Sequence, residues 1–363
     1  MRVLIVTGLS GGHIYPALAL ADFLKDSKQN VLLVLPDDGR KSRISVNFAQ
    51  IEYIHAARLS FGLNKNNLLN VYLFLLGSWQ VLRIIIKFKP LVVVGFGSLN
   101  SISLIFWAWL FRIKTIIHEQ NVVCGKANRL LSKFVDRVAV SFNQTRNYLN
   151  ISDEKIVLTG NPLRLDLVEV ERKVALDFFK FKEGRFNILI TGGSQGAHKL
   201  NTICLGALST FQNKIDLQVM HICGTQDFNE LSKGYLSTTL NYQLFDFFKQ
   251  MQYAYSIADL IICRAGATTI AELAKFKVPA ILVPYPFAYA HQLTNAQVLS
   301  NIGAAEILLD EDLTIDKIKE RLKSYFADRE KLKAMRMGYQ KLPVLRATEK
   351  LASEVLSLNQ CLN

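Results

Sequence analysis

The chain has 363 residues, half of them hydrophobic, and 43 Lys and Arg against 30 Asp and Glu leave it at +13. That is enough chain and enough apolar matter for two ordinary domains, each with its own core. The five cysteines are odd in number and form no C-x-x-C pair, which argues against a disulfide framework and for a reducing, cytoplasmic setting.

The charge is unevenly placed. Residues 1–165 carry 20 Lys and Arg against 9 Asp and Glu, whereas residues 166–363 carry 23 against 21. A basic first half beside a near-neutral second half calls for an anionic partner on one side only. No zinc-finger spacing, RNP-type motif or basic-aromatic repeat points to nucleic acid. An anionic membrane surface remains, attracting basic clusters at about 1 kcal/mol per residue.

In chain order, Arg2-Val-Leu-Ile-Val6 begins a strand at once and leaves no room for a signal peptide. The strand reads from Val3 to Thr7, Gly8-Leu-Ser-Gly-Gly-His13 is a turn, and Pro16 to Ala21 opens a helix. The turn is not G-x-G-x-x-G, and only Asp37 and Asp38 lie near a ribose position, so a dinucleotide site is a poor fit. His13, at the mouth of the turn, is a candidate base for a sugar hydroxyl or a residue capping its own helix. Val31 to Leu35, Ile51 to His55, Leu91 to Gly95, Thr115 to His118 and Val138 to Ser141 read as further strands. This alternation implies a parallel sheet with helices on both faces.

Leu68 to Ile86 and Ile102 to Ile113 are too apolar for an ordinary surface. The first is interrupted by Asn70, Gln80 and Arg83, and the second is too short to span a bilayer. They are either buried helices or an apolar patch with a basic rim that dips into a membrane, and the charge excess favours the patch. His118-Glu-Gln-Asn121 follows a strand end and suggests a metal, but no matched ligand spacing supports one.

After Gly160-Asn-Pro-Leu-Arg164, where Pro162 marks a linker, and a helix-like stretch from Glu169 to Phe181, the alternation restarts. Strands are expected at Phe186–Thr191, Gln218–Ile222, Tyr242–Phe245, Leu260–Cys263 and Ile281–Val283. Two such units facing each other bind ligands between the carboxyl ends of their strands. Gly192-Gly-Ser-Gln-Gly196 matches the G-x-S-x-G nucleophile elbow, with His221 or His291 and Asp227 or Asp259 as triad partners. That reading leaves Glu272, Gln292 and Asn295 without a use. In the stretch Leu260–Asn295, Arg264-Ala-Gly266-Ala breaks a buried strand and Thr268 reads as a helix N-cap, making a concavity of backbone N–H groups suited to an anion. Glu272 is placed to accept from a diol such as a ribose. Gln292 and Asn295, at i and i+3, face one way as two amides reading a sugar. The tail beyond Pro343 forms a last helix returning to the first domain.

As a set, Gly11-Gly-His13 with Pro16-Ala-Leu-Ala19, His118-Glu-Gln-Asn121, Gly160-Asn-Pro162 with Arg164, Gly192 to Ala197, Arg264 to Ala267 with Glu272, and His291-Gln292 with Asn295-Ala296 resemble the signatures of the MurG family. They run in the family's order from residue 2 to about 310. The resemblance implies an α/β protein of the GT-B class, two Rossmann-like domains with parallel sheets facing across a cleft. The domains fall at 1–162 (acceptor and membrane-facing), 163–342 (UDP-GlcNAc-binding) and 343–363 (the returning helix). It also implies an inverting transfer of GlcNAc from UDP-GlcNAc to the muramoyl 4-hydroxyl of lipid I, giving lipid II, with no obligatory metal or other cofactor.

By the same resemblance, the backbone of Phe248 meets uracil and Glu272 the ribose. Arg164, Ser194, Ala267, Thr268 and Thr269 hold the diphosphate and sugar. Gln292 and Asn295 read the GlcNAc hydroxyls, and Asn121 reaches the acetamido group. Ser10, Gly11 and Gly12, with the Gly95–Ser98 turn, take the acceptor diphosphate, and His13 is the base. The enzyme works peripherally at the cytoplasmic face of the cell membrane, with other cell-wall enzymes as further partners. Two loops depart from the family pattern. Leu9 and Ser10 stand where Gly and Thr are usual, and Ser98 and Leu99 where Gly and Tyr are usual, which restricts the backbone at Leu9 and Ser98 more than glycine does. A UDP-GlcNAc 2-epimerase of the same fold is the near rival. A serine hydrolase at Ser194 and a non-catalytic lipid-bound nucleotide sensor are the distant ones.

Overall fold

The short apolar runs of the sequence become parallel strands in two separate sheets. The structure, a computed structural model, describes residues 1–37, 50–55, 65–98, 100–193, 196–212, 216–286, 289–343 and 346–360. Residues 1–165 with 345–363 form one unit and residues 166–344 the other.

The first unit is built on β1 (Arg2–Val6), β2 (Asn30–Asp37), β3 (Ile51–His55), β4 (Val92–Gly95), β5 (Lys114–Glu119), β6 (Arg137–Val140) and β7 (Ile156–Leu158). Their order is β3-β2-β1-β4-β5-β6-β7, and every neighbouring pair is parallel. Alternate residues of β1 enter different cores. Val3 and Ile5 pack under α1 (Gly11–Asp26) and α13 (Ala347–Gln360). Leu4 and Val6 pack under α2 (Lys65–Phe88), α3 (Asn100–Leu110) and α4 (Lys126–Leu131). Burial on both faces is why the central strands read as unbroken apolar runs. Helix α13 brings Leu351, Ala352, Val355 and Leu358 into the α1 core. It is tied down where Arg137 donates to Glu354 and to Ser357 Oγ (3.2 Å) and where Thr348 Oγ1 donates to the Leu163 carbonyl (3.3 Å).

The second unit holds β8 (Phe186–Thr191), β9 (Leu217–Ile222), β10 (Asn241–Phe245), β11 (Leu260–Cys263), β12 (Ala280–Leu282) and β13 (Ala305–Ile307), ordered β10-β9-β8-β11-β12-β13 and again all parallel. Around them lie α5 (Arg172–Phe179), α6 (His198–Ser209), α7 (Phe228–Leu236), α8 (Met251–Ile257), α9 (Ala267–Phe276), α10 (Tyr289–Ser300), α11 (Ile315–Ala327) and α12 (Glu330–Gly338). In each sheet the strand order reverses once near the middle, between β1 and β4 and between β8 and β11. Ligands of open parallel sheets sit at the carboxyl ends of strands at such a switch point. The loops found there are the ones that carry the sequence motifs.

Several sequence expectations change. Strands β7 and β13 were not foreseen, since each pairs only three residues at a sheet edge. Helix α1 starts at Gly11 rather than at Pro16. Ser10 is its N-cap, with the Ser10 carbonyl accepting from the N–H groups of His13 (2.9 Å) and Ile14 (3.0 Å). Pro16, inside the second turn, removes only the bond that Gly12 O would otherwise accept. Helix α9 is capped by Gly266, not by Thr268, which lies one residue into the helix.

The two apolar stretches become α2 and α3, packed against each other with Trp107 Nε1 donating to Ser78 Oγ (2.9 Å). Gly77 sits so close to the His55 carbonyl that a Cβ would come within 2.5 Å, which seats α2 on the sheet edge. The outer faces stay open: Trp79 is 51% exposed and Trp109 50%, with Leu75, Phe106, Phe111 and Phe134 also exposed. Each helix therefore buries one face in the core, through Val81, Ile85, Leu104, Ile105 and Ala108, and leaves the other as an exposed apolar patch. Asn70–Phe88 is long and apolar enough to cross a membrane by length and composition, with 17% of that window buried.

Candidate active site

In the first unit, the β1–α1 turn, the β4–α3 turn and the end of β5 converge on His13. Ser10, extended at the N-cap, places its Oγ 2.9 Å from His13 Nδ1. The other ring nitrogen faces the β4–α3 turn, and a Cβ on Gly97 (φ +74°) would lie 3.3 Å from Nε2. Burial lowers the His13 pKa below its usual 6.5, with the charge of Glu119 opposing the shift. Gly12 opens onto free space and Gly11 is half-buried. This helix start can receive an anion on bare backbone N–H groups.

Glu119 is almost wholly buried and organises the loop after β5. It accepts from the Asn121 N–H (3.0 Å) and Nδ2 (3.3 Å), the Gly125 N–H (3.0 Å) and Asn128 Nδ2 (2.9 Å). Asn121 is thereby held in place at the strand end. His118 is enclosed instead, with Nε2 3.0 Å from the Gly160 carbonyl. Among the described residues no group of three or more His, Cys, Asp or Glu could hold a metal ion. Arg164 lies in this first unit, with its guanidinium over the Tyr15 ring at 5.5 Å.

Of the two departures from the family pattern, Leu9 takes no left-handed backbone, but Ser98 does, at φ +74°. Among the described residues its buried Oγ has no hydrogen-bond partner. A left-handed non-glycine residue costs about 1–2 kcal/mol, partly offset because glycine gains freedom in the unfolded chain. Ser98→Gly is accordingly expected to stabilise the first unit by about 1 kcal/mol in urea unfolding. An unchanged or lower midpoint would mean that the turn carries no strain.

In the second unit the loops after β8 and β11 make the corresponding turn pair. Gly193 and Gly196 have φ of +84° and +77°, and the Gly196 N–H closes the loop onto the Gly193 carbonyl (3.0 Å). Ser194 lies outside the described residues. The triad reading loses one of its two candidate bases, because His221 is fully buried with Nδ1 on Tyr235 Oη (2.9 Å) and Nε2 on Asn201 Oδ1 (3.1 Å).

After β11, Gly266 caps α9, so Ala267, Thr268 and Thr269 form its first turn. Glu272, one turn on, accepts from Tyr255 Oη (2.7 Å), which fixes the carboxylate. The amide pair expected to face a sugar is engaged with the backbone here. Gln292 Oε1 accepts from the N–H groups of Ala265 (3.1 Å) and Tyr285 (2.9 Å), and fully buried Asn295 donates to the Ala265 carbonyl (3.3 Å). Both therefore shape the β11–α9 turn. Arg264 does so as well: its Nη1 reaches the carbonyls of Val283 and Pro284 and Asp310 Oδ1 (2.6 Å). The Phe248 ring packs among Phe178, Phe179 and Phe245. Among these residues, sequence reasoning had missed Tyr255, Asp310 and the anchoring role of Glu119.

The glycosyltransferase family 28 N-terminal domain matches residues 3–140, and the C-terminal domain of the same family matches residues 187–351. A relative from Halothermothrix orenii is 36% identical over 353 residues, covering 92% of this chain and 93% of its own. It is named UDP-N-acetylglucosamine–N-acetylmuramyl-(pentapeptide) pyrophosphoryl-undecaprenol N-acetylglucosamine transferase. The chain belongs to the MurG family. The crystal structure of Acinetobacter baumannii MurG superposes with a TM-score of 0.76 at 29% identity, covering 98% of this chain and 99% of that one. The fold is thus GT-B, and the chain is a UDP-GlcNAc-dependent N-acetylglucosaminyltransferase. A UDP-GlcNAc 2-epimerase from Neisseria meningitidis shares the fold at a TM-score of 0.67 but only 14% identity, covering 100% of both chains. End-to-end identity favours MurG over the epimerase reading.

Proposed function

We propose that the enzyme transfers GlcNAc from UDP-GlcNAc to the muramoyl 4-hydroxyl of lipid I, forming lipid II for peptidoglycan. The observation that carries this reading is the pairing of end-to-end MurG similarity with a glycine-bearing helix start at the switch point of each sheet. Each such start suits one of the two diphosphates that the reaction must hold.

The donor is read by the second unit. The Gly192–Gly196 loop with Ser194, and the Ala267-Thr268-Thr269 turn, take the diphosphate, Glu272 the ribose hydroxyls, and the Phe248 backbone the uracil. Gln292 and Asn295 serve the sugar subsite chiefly by holding the turn beside it. The first unit takes the acceptor, with its diphosphate at Ser10-Gly11-Gly12, while Asn121 and Arg164 keep the donor-binding roles that the MurG resemblance implies. His13 Nε2 removes the proton of the acceptor hydroxyl as its oxygen attacks the anomeric carbon. The bond from that carbon to the diphosphate oxygen breaks, UDP leaves with the electron pair, and the configuration inverts. Helix N-termini stabilise the departing charge, so the reading needs no obligatory metal. The exposed face of α2 and α3, rimmed by Arg83, Lys87, Lys89, Arg112 and Lys133, meets an anionic membrane where the lipid acceptor resides.

The test is transfer of labelled GlcNAc to a lipid I analogue in vesicles, with and without a chelator. Glu272→Ala is expected to raise the KM for UDP-GlcNAc about 10-fold or more, the cost of a charged hydrogen bond pair, with kcat changed far less. Rates on anionic vesicles should exceed those on neutral ones, an excess that salt removes. UDP-GlcNAc binding without lipid II formation, or a rate abolished by the chelator, would refute the reading.

A further inference from the structure

Behind the β8–α6 loop lies a polar chain that the reaction does not use. Asn201, in the first turn of α6, is fully buried and donates from Nδ2 to Asp227 Oδ2 (2.7 Å) and to the Cys223 carbonyl (2.8 Å). Since a carboxylate and a carbonyl can only accept, the Asn201 amide has one orientation, and its Oδ1 must receive a proton from His221 Nε2 (3.1 Å). His221 then accepts at Nδ1 from Tyr235 Oη (2.9 Å), so one tautomer satisfies the whole chain. Burial keeps that imidazole neutral, with its pKa lowered to about 3. At the outer end, Asp227 Oδ1 lies 3.0 Å from Nδ1 of exposed His198.

The Cys223 carbonyl is the pivot of this arrangement. Gly196 packs against the same oxygen so closely that a Cβ would approach it to 2.4 Å. One atom is thus gripped by Asn201 from behind and pressed by the glycine loop from the front. A buried carbonyl that lost its donor would turn to find another, and the loop resting on it would move.

We propose that Asn201, locked by Asp227 and His221, is a positioning residue that holds Gly196, and with it the approach to the start of α6, where the nucleotide's diphosphate is received. The proposal rests on the reading that the second unit binds the donor. The network touches no part of the nucleoside, so its loss is felt by the diphosphate and not by uridine.

The experiment measures binding of UDP and of uridine by calorimetry to the parent, Asn201→Ser, Asp227→Leu and Glu272→Ala. For Asn201→Ser the Kd for UDP is expected to rise about 10- to 30-fold while that for uridine stays within about twofold. Asp227→Leu keeps the branched shape of the side chain but removes both acceptor oxygens, leaving Asn201 Nδ2 without its carboxylate partner, and it should show the same selective loss even if Asn201→Ser does not fold. Glu272→Ala should weaken both ligands alike, since both carry the ribose. If Glu272→Ala weakens both and the network variants leave the ratio of UDP to uridine affinity at the parent value, the positioning role is overturned and the donor site stands. If no variant weakens either ligand, the donor-site reading fails and the positioning role with it. Equal weakening of UDP and uridine in Asn201→Ser would show a merely structural residue.

Discussion

Replacing His13 with Ala is expected to lower kcat by about 10²- to 10⁴-fold, the usual contribution of a positioned general base, and to leave the KM for UDP-GlcNAc nearly unchanged. The geometry supports this split. His13 sits in the first turn of α1 with Nδ1 on Ser10 Oγ (2.9 Å), so when Nδ1 carries the proton Ser10 accepts it and Nε2 keeps its lone pair for the substrate. Gly97 faces Nε2, and any side chain there would occupy the approach. The groups around the ring are Ser10 from α1, Gly97 and Ser98 from the β4–α3 turn, and His118 and Glu119 from β5. Burial among them disfavours the imidazolium, as does the positive end of α1, whereas Glu119 favours it. The net shift is downward from 6.5, so the acid limb of the kcat profile lies below pH 6.5 and the base is unprotonated at neutral pH. His13→Ala should erase that limb. If the variant keeps kcat within about tenfold of the parent, or retains the limb, the proton goes elsewhere.

The fold was legible in the sequence because both sheets are parallel and covered on both faces. Runs such as Val92–Gly95 and Leu260–Cys263 must then be apolar throughout, and they stand out between helices. Edge strands such as Ala305–Ile307 carry three residues and leave no such mark. The start of α1 was hidden because Gly11 and Gly12 read as a turn and Pro16 as a first helical residue, although a proline early in a helix gives up a single bond. Within the site, short-range relations were readable. Ser10 and His13 are three apart, and His118 to Asn121 lie on one strand end. Relations set by sheet register were not. Nothing near Arg264 points to Asp310, 46 residues on, and nothing near Asn201 points to Cys223 and Asp227, which meet it only because β9 runs beside β8. Gln292 and Asn295 were read as two amides facing a sugar, whereas the structure engages both with the backbone of the β11–α9 turn. The backbone groups of Ala265 that they bind came to light only with the turn itself.

The stability of each unit is expected to fall as pH drops from about 6.5 toward 4, by about 1.4 kcal/mol per pH unit for each buried neutral histidine. His118 in the first unit and His221 in the second are both fully buried, and desolvation lowers their pKa values to about 4 and about 3. In the unfolded chain each takes up a proton near pH 6.5. Between those limits the unfolded state binds more protons than the folded one, so acidification draws the equilibrium toward unfolding. Neither ring has a ready place for a second proton. His118 is held by Gly160 O and Gln120 Nε2, with Phe96 beside it and Glu119 and His13 nearby. His221 is held by Tyr235 and Asn201, with Asp227 as its nearest charge. The interval from pH 6.5 to 5 lies above the ordinary carboxylate range, which isolates the histidines. The three tryptophans, Trp79, Trp107 and Trp109, all lie in the first unit, so their fluorescence follows its unfolding, while circular dichroism follows both units. Urea midpoints at pH 7.5, 6 and 5 should fall steadily by both probes. His221→Gln should flatten the slope seen by circular dichroism and leave the fluorescence slope as it was. Midpoints that hold constant from pH 7.5 to 5, or a fluorescence slope that changes with His221→Gln, would show that these buried imidazoles do not govern the acid response of the units that enclose them.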